Sequence, residues 1–284
     1  MSVIKSLHHV PAPAKLNLFL HITGRRADGY HLLQSVFMLI DWWDVLHFDV
    51  RPDGLLQRRD LNIPLPEDDL CLRAARLLQT ASGCRQGAVI SIEKRLPSQA
   101  GMGGGSSDAA TTLLALNRLW GLNWPLSRLL PLGLSLGADV PFFLRGQNAW
   151  VEGIGEVLQP VSLPPARFAV LKPEQGLETA LIFKDAALVR NSSPATMADF
   201  AARPYAFGRN DLQAVAKRLC PQVDQSLEWF NRQGLRPGMT GSGSAVFARI
   251  ASDTMLAEPP TGWQLQLCSN LEIHPLAGWV FCDV

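Results

Sequence analysis

One stretch decides how this 284-residue chain is interpreted: Gly101-Met102-Gly103-Gly104-Gly105-Ser106-Ser107-Asp108. Its four glycines permit positive φ angles and let backbone N–H groups come close to a ligand. An apolar run typical of a helix follows at once, Ala109-Ala110-Thr111-Thr112-Leu113-Leu114. The N-terminus of a helix offers unpaired N–H donors and the positive end of a macrodipole, which suits phosphate. A flexible linker would not continue directly into a helix, so the stretch predicts a phosphate-binding loop.

Composition narrows the class of protein. The chain is 47% hydrophobic and 18% charged, which is enough apolar material for two domains around a shared cleft. The net charge is +1 and the 26 Lys and Arg are scattered, so no nucleic-acid partner is expected. With no apolar run of membrane-spanning length and no signal-peptide pattern at the N-terminus, we expect a cytoplasmic protein without a membrane partner. The five cysteines and six histidines lack metal-ligand spacings, which favours reduced thiols and no metal site.

Hydrophobic periodicity predicts strands and helices interleaved along the chain, which indicates an α+β or α/β class. The first strand should be half-buried, with Lys15 and Asn17 on its polar face. We expect residues 160–165 to be a domain boundary and residues 190–209 to be a loop or a short irregular helix. Strands are predicted at 15–22, 45–50, 88–94, 168–171, 245–250, 263–267 and 279–283. Helices are predicted at 70–81, 107–120, about 126–136, 211–219 and 223–232, and Pro131 should shorten or kink the third of them.

Three common nucleotide-binding patterns are missing from the sequence. A P-loop requires a Gly-Lys dipeptide, which does not occur. A Rossmann fingerprint counted from Gly101 requires glycine at its sixth position, where Ser106 stands. The H-R-D and D-F-G signatures of protein kinases are also absent. The glycine-rich loop therefore belongs to another type of nucleotide-binding protein.

The chain resembles the GHMP kinases, a family named for galactokinase, homoserine kinase, mevalonate kinase and phosphomevalonate kinase. Three segments carry this resemblance, in order: Pro13-Ala14-Lys15-Leu16-Asn17-Leu18, the run from Pro97 to Ala110, and Gly238-Met239-Thr240-Gly241-Ser242-Gly243-Ser244. The resemblance implies an α+β fold of two domains. Residues 1–160 would form a ribosomal-protein-S5-like domain that binds ATP, and residues 161–284 a ferredoxin-like domain.

Two further segments resemble one member of that family more closely, Gly29-Tyr30-His31 and Gly137-Ala138-Asp139-Val140-Pro141-Phe142-Phe143. That member acts in non-mevalonate isoprenoid biosynthesis. It phosphorylates the 2-hydroxyl of a cytidine diphosphate-linked methylerythritol. The resemblance implies the same small-molecule substrate here, ATP as co-substrate, and Mg²⁺ as the ATP counter-ion without assigned protein ligands.

The resemblance also implies roles for individual residues. Asp139 would be the base that takes the hydroxyl proton, and Lys15 would stabilise charge on the transferred phosphoryl group. Without the resemblance, Lys15 would be interpreted as a solvated edge charge and Asp139 as a turn or cap residue. ATP-binding positions are expected at Pro97, Ser98, Gln99, Ala100, Gly101, Met102, Gly103, Gly104, Gly105, Ser106 and Ser107.

Substrate selection is expected from a separate group of residues. Tyr30 and Phe183 would sandwich the cytosine ring and His31 would hydrogen-bond its edge, with Asn17 and Thr179 as further substrate-binding residues. Two other functions stay open at this stage. A GHMP kinase for homoserine or mevalonate would not need the aromatic pair. A nucleotide-binding regulator would not need a lysine and an aspartate at both catalytic positions.

Overall fold

The computed structural model describes residues 5–280 and contains two β-sheets with helices packed against them. The strands are β1 Ser6–Arg25, β2 His31–Arg51, β3 Leu56–Asp60, β4 Gly87–Glu93, β5 Ala149–Glu152, β6 Val157–Pro160, β7 Arg167–Lys172, β8 Pro237–Met239, β9 Val246–Ile250 and β10 Gln264–Ser269. The helices are α1 Leu70–Ser82, α2 Gly104–Leu119, α3 Leu126–Leu136, α4 Val140–Arg145, α5 Thr179–Lys184, α6 Met197–Ala202, α7 Gln213–Leu219 and α8 Pro221–Asn231. This is the α+β class that the resemblance predicts and one of the two classes that the periodicity left open.

The first sheet has the strand order β3-β4-β2-β5-β6, and β1 pairs antiparallel with β2 along most of its length. Helices α1 to α4 cover this sheet, and their apolar faces form the largest core. Fully buried aromatic rings such as Phe48 and Phe142 fill it. Because α2 and α4 both pack here, the glycine-rich loop before α2 and the turn before α4 are brought close together.

The second sheet has the order β10-β7-β9-β8, with α7 and α8 packed on it. Leu20 and Ile22 of β1 are buried in this second core, so the first strand serves both sheets. The chain then returns to the first sheet, where Asn270 pairs with Ile40. The change of sheet falls between Pro160 and Arg167. The division into domains 1–160 and 161–284 stays a prediction.

Several predicted elements are confirmed with small shifts of their ends, and the helix at 126–136 has the predicted bounds. The predicted helix 107–120 instead begins at Gly104, inside the glycine-rich loop. The predicted strand 45–50 is only the end of the 21-residue strand β2, whose residues 34–40 are buried on both faces and therefore do not alternate. Of the predicted strand 279–283, residues 279 and 280 form a bend and the remainder lies outside the described residues.

The prediction that the first strand is half-buried is wrong in one respect. Both of its faces are buried around Lys15 and Asn17, since these polar side chains point into the interior and not to solvent. A separate finding concerns membranes: among residues 5–280, no helix combines the length and apolarity that crossing a bilayer requires.

Candidate active site

The glycine-rich loop leads directly into α2. Gly101 and Gly103 have φ angles of 71° and 72°, the left-handed region in which glycine carries no Cβ penalty. Gly103 is the N-cap of α2, and no side chain caps the helix. The first-turn N–H groups have no partner within the helix, so they are available to an anion in front of it.

A second glycine-rich segment, residues 238–244, lies against the back of this loop. The backbone N–H of Ser244 donates to the carbonyl of Gln99 at 3.0 Å. A Cβ on Gly101 would lie 2.2 Å from the carbonyl oxygen of Thr240, so the two backbones are in direct contact. Residues 238–244 therefore support the glycine-rich loop from behind.

Lys15 lies beneath the loop on β1. Its side-chain Nζ donates to the carbonyl of Gly101 at 3.0 Å and to Oδ1 of Asn17, and it lies 3.7 Å from Oδ2 of Asp139. Only 4% of the residue is exposed. Burial lowers the pKa of Lys15, although the Asp139 carboxylate opposes that shift. The ammonium group is therefore held in a site that only partly compensates its charge.

Asp139 follows the Gly137-Ala138 turn and immediately precedes α4. It occupies the N-cap position of that helix, yet its side chain makes no capping hydrogen bond. The side chain is 31% exposed, so its carboxylate is accessible from the cavity as well as from Lys15. The interpretation of Asp139 as a mere cap residue therefore has no support in its contacts.

Asn17 holds the side chain of Lys15 in position through a hydrogen bond. Its Oδ1 accepts from Lys15, and its Nδ2 donates to Oγ of Ser35 at 2.9 Å. Its backbone N–H donates to Oγ1 of Thr240 at 2.9 Å, which links β1 to the third motif. These contacts orient the lysine. A contact between Asn17 and substrate stays a prediction.

A cavity of about 800 Å³ joins these groups. It is large enough for a nucleotide, since small-molecule sites commonly span about 300–1,000 Å³. Ser107 is the one predicted ATP-binding residue that does not line it, because its hydroxyl is buried and its N–H donates to Gly103. The lining includes the catalytic candidates Lys15 and Asp139, the substrate candidates Asn17, Thr179 and Phe183, and the loop residues Pro97, Ser98, Gln99, Ala100, Gly101, Met102, Gly103, Gly104, Gly105 and Ser106.

A neighbouring cavity of about 580 Å³ holds the remaining substrate candidates, Tyr30 and His31, and shares Phe183 with the first. The His31 and Phe183 rings lie 5.1 Å apart at 34°. Tyr30 is 60% exposed and makes no ring contact within residues 5–280. The structure thus brings His31 and Phe183 together. The closure of Tyr30 over a base stays a prediction.

Sequence reasoning missed two groups of residues. Arg190, in the segment expected to be irregular, donates to His31 at 3.0 Å. In the second group, Lys94 lines the large cavity and is paired with two buried carboxylates, Asp44 and Asp108. Burial raises the pKa of Asp108 to about 8, opposed by Lys94 and reinforced by Asp44. No sequence spacing signals such contacts, because they join distant elements.

A helix N-terminus open to phosphate, with a buried lysine and an accessible carboxylate beside it, is the arrangement that phosphoryl transfer requires. Residues 69–147 match the family model described as the GHMP kinases N terminal domain, and residues 186–257 match GHMP kinases C terminal. The chain belongs to the GHMP kinase family and is a kinase. The predicted fold class is confirmed by the same matches.

Individual relatives indicate which members of the family the chain is similar to in sequence. The chain is 63% identical to a 4-diphosphocytidyl-2-C-methyl-D-erythritol kinase of Albidiferax ferrireducens, over 99% of this chain and 98% of that protein. It is 62% identical to the protein of the same name from Paracidovorax citrulli, over 97% and 98%. A crystal structure of 4-(cytidine 5'-diphospho)-2C-methyl-D-erythritol kinase matches with a TM-score of 0.74 and 35% identity, covering 92% of this chain and 98% of that one. A homoserine kinase from Cytophaga hutchinsonii, with a TM-score of 0.68 and 14% identity, shares the fold alone.

Proposed function

We propose that the chain transfers the γ-phosphoryl group of ATP to the 2-hydroxyl of 4-diphosphocytidyl-2-C-methyl-D-erythritol, a step in isoprenoid precursor biosynthesis. The observation that carries the reaction type is the 3.7 Å approach of Lys15 Nζ to Asp139 Oδ2 beside the glycine-rich loop. The identity of the acceptor alcohol draws on the relatives named above.

The reaction needs a base for the alcohol proton and positive charge near the transferred group. Asp139 accepts the proton as the alcohol oxygen bonds to the γ-phosphorus and the bond from that phosphorus to the β,γ-bridging oxygen breaks, which leaves ADP. Lys15 offsets negative charge on the transferred group and orients the carboxylate. Asn17 holds the ammonium in place through its Oδ1. Catalysis then rests on positioning and charge compensation.

The residues present fit ATP. The N–H groups at the start of α2 would bind its phosphates, and glycine at positions 101 and 103 permits the left-handed φ angles that the loop backbone adopts. Mg²⁺ would accompany the nucleotide and shield its phosphate charge. Among residues 5–280, no three His, Cys, Asp or Glu side chains form a metal-binding group. We therefore expect the ion to use mainly phosphate and water oxygens.

The second cavity would hold the cytosine ring. Phe183 offers a face for stacking, His31 offers a polar ring atom for the edge of the base, and exposed Tyr30 is free to close from the other side. Thr179, whose hydroxyl lies 2.7 Å from that of Ser242, lines the larger cavity. The cytoplasmic location and the absence of a nucleic-acid partner stay predictions from composition.

The experiment is direct. The protein is incubated with Mg-ATP and, in separate reactions, the cytidine-linked methylerythritol, homoserine or mevalonate, and ³¹P NMR locates the new phosphate. We expect a phosphomonoester at the 2-hydroxyl of the cytidine-linked alcohol only, and none with the Asp139→Asn variant. ADP release with homoserine or mevalonate alone would contradict the substrate and leave the kinase assignment intact.

A further inference from the structure

Arg190 connects the two walls of the second cavity. Its Nε donates to Nε2 of His31 at 3.0 Å. Its Nη2 donates to the carbonyls of Phe183 at 3.2 Å and Asp185 at 2.7 Å, and its Nη1 donates to the carbonyl of Leu188 at 2.9 Å. His31 begins β2 of the first sheet, whereas Phe183 lies on α5. One guanidinium therefore binds the imidazole of His31 and the backbone of Phe183, which come from separate parts of the chain.

The hydrogen bond between Arg190 and His31 determines the tautomer of the imidazole. A guanidinium has five N–H donors and no acceptor, so Nε2 of His31 must accept. The single ring proton of neutral His31 then resides on Nδ1. Within residues 5–280, Nδ1 has no hydrogen-bond partner and is available to a ligand.

The charges around His31 keep it neutral. Burial, Arg190 and Arg25 all lower its pKa. The other charged groups that line this cavity are Asp28 and Lys184. Asp28 pairs with Arg26 at 2.7 Å and its carboxylate accepts from the N–H of Tyr30, so it is not directed at the imidazole.

We propose that Arg190 is a positioning residue that fixes His31 as an Nδ1–H donor and thereby makes the site select cytosine over uracil. This rests on the proposed function, in which the second cavity holds the pyrimidine. N3 of cytosine is a hydrogen-bond acceptor, whereas N3 of uracil carries a proton. A fixed N–H donor on His31 would pair with N3 of cytosine, whereas in uracil it would face a second donor, the N3–H group. A polar site rejects an isosteric competitor through such a mismatch.

Two variants separate this role from a purely structural one. Arg190→Lys keeps a donor-only cation beside Nε2, so it should preserve the tautomer. Arg190→Met keeps an unbranched side chain that reaches about as far as Nε of arginine and removes the donor, so the proton is free to occupy either nitrogen. If Arg190→Met does not fold, Arg190→Gln replaces it, because an amide can accept as well as donate and so also releases the tautomer.

The first measurement is ¹⁵N NMR of the imidazole nitrogens, with His31→Gln used to assign the signals. We expect a protonated Nδ1 and an unprotonated Nε2 in the wild type and in Arg190→Lys. In Arg190→Met we expect averaged nitrogens, and a higher His31 pKa on titration because a neighbouring positive charge is gone. A His31 tautomer that is unchanged in Arg190→Met would overturn the proposal.

The second measurement is kcat/KM for the cytosine substrate and for its uracil counterpart. We expect the ratio of the two to fall about tenfold in Arg190→Met, the scale of one hydrogen bond, and to stay within about threefold in Arg190→Lys. The KM for ATP should stay within about twofold in both. An undiminished ratio in Arg190→Met also overturns the proposal. If the wild type phosphorylates neither substrate, the proposed function fails instead, and the two failures are thus distinct.

Discussion

Substitution of Gly101 by alanine tests whether the contact between the two glycine-rich segments holds the site together. Gly101 has a φ of +71°, and a Cβ there would lie 2.2 Å from the carbonyl oxygen of Thr240 and 2.8 Å from the backbone nitrogen of Gly243. Both are backbone atoms, which cannot rotate away as a side chain can. The two segments must therefore separate. That movement also disturbs the hydrogen bond from Lys15 to the Gly101 carbonyl.

The expected loss in the free energy of unfolding is obtained by comparison with a matched control position. Gly83 has a similar φ of +67°, but a Cβ at this position would have no atom within 4 Å of it. Gly83→Ala should lower the free energy of unfolding by about 1 kcal/mol, the conformational cost of a left-handed alanine. Gly101→Ala adds an overpacking cost of about 1–3 kcal/mol, so its total should be about 2–4 kcal/mol.

Urea unfolding measures both variants, and initial rates at varied ATP measure the site. We expect Gly101→Ala to lose the larger stability and to raise the KM for ATP at least about tenfold, corresponding to about 1.4 kcal/mol. Gly83→Ala, at the end of α1, should keep the wild-type KM. Equal stability losses in the two variants, with normal ATP kinetics in Gly101→Ala, would refute the reasoning.

Three further substitutions test the catalytic base, the proposed cytosine site and the buried charges beside the loop. Asp139→Asn should lower kcat by about 10²–10⁴ through loss of the base, with the KM for ATP within about twofold in an ADP-release assay; near-normal kcat would remove Asp139 from the mechanism. Tyr30→Ala should raise the KM for the cytidine substrate about tenfold and leave that for ATP unchanged. The comparably exposed Leu181→Ala is its control, and equal changes in both KM values would argue against stacking. Burial raises the pKa of Asp108 to about 8, so the folded protein retains a proton that the unfolded chain releases. The free energy of unfolding should therefore fall as the pH rises from about 4 to 8. Asp108→Asn should lack that part of the slope in urea unfolding at several pH values, and an unchanged slope would contradict the assignment.

Much of the fold was predictable because local patterns determine it. The helix at 126–136 has the apolar spacing of a helix packed on one side, and it runs over its full predicted length although Pro131 was expected to shorten or kink it. Residues 34–40 of β2 are buried on both faces, so they lack the alternation that identifies a strand. The start of α2 was predicted three residues late, because glycines have poor intrinsic helix propensity and tertiary packing overrides it there.

The site was predictable only in part. The glycine-rich loop indicates an anion site by its composition, whereas Lys15 and Asp139 were identified through the resemblance and not by their spacing. The structure places them 3.7 Å apart although they are distant in sequence. The contact between Arg190 and His31 depends on how α5 and the segment after it pack against β2, and no periodicity encodes that packing.

Two lysines lie beside the loop, Lys15 buried and Lys94 partly buried, and their partners differ. Lys94 pairs with Asp44 and Asp108, and although burial opposes it, these two partners raise its pKa above the ordinary value. Lys15 faces one carboxylate, Asp139, at 3.7 Å, and burial lowers its pKa. The charge of Lys94 is thus compensated within the protein, whereas that of Lys15 is compensated only in part. An arriving phosphate would supply the missing negative charge to Lys15, which is why this lysine, and not its neighbour, is suited to stabilise phosphoryl transfer.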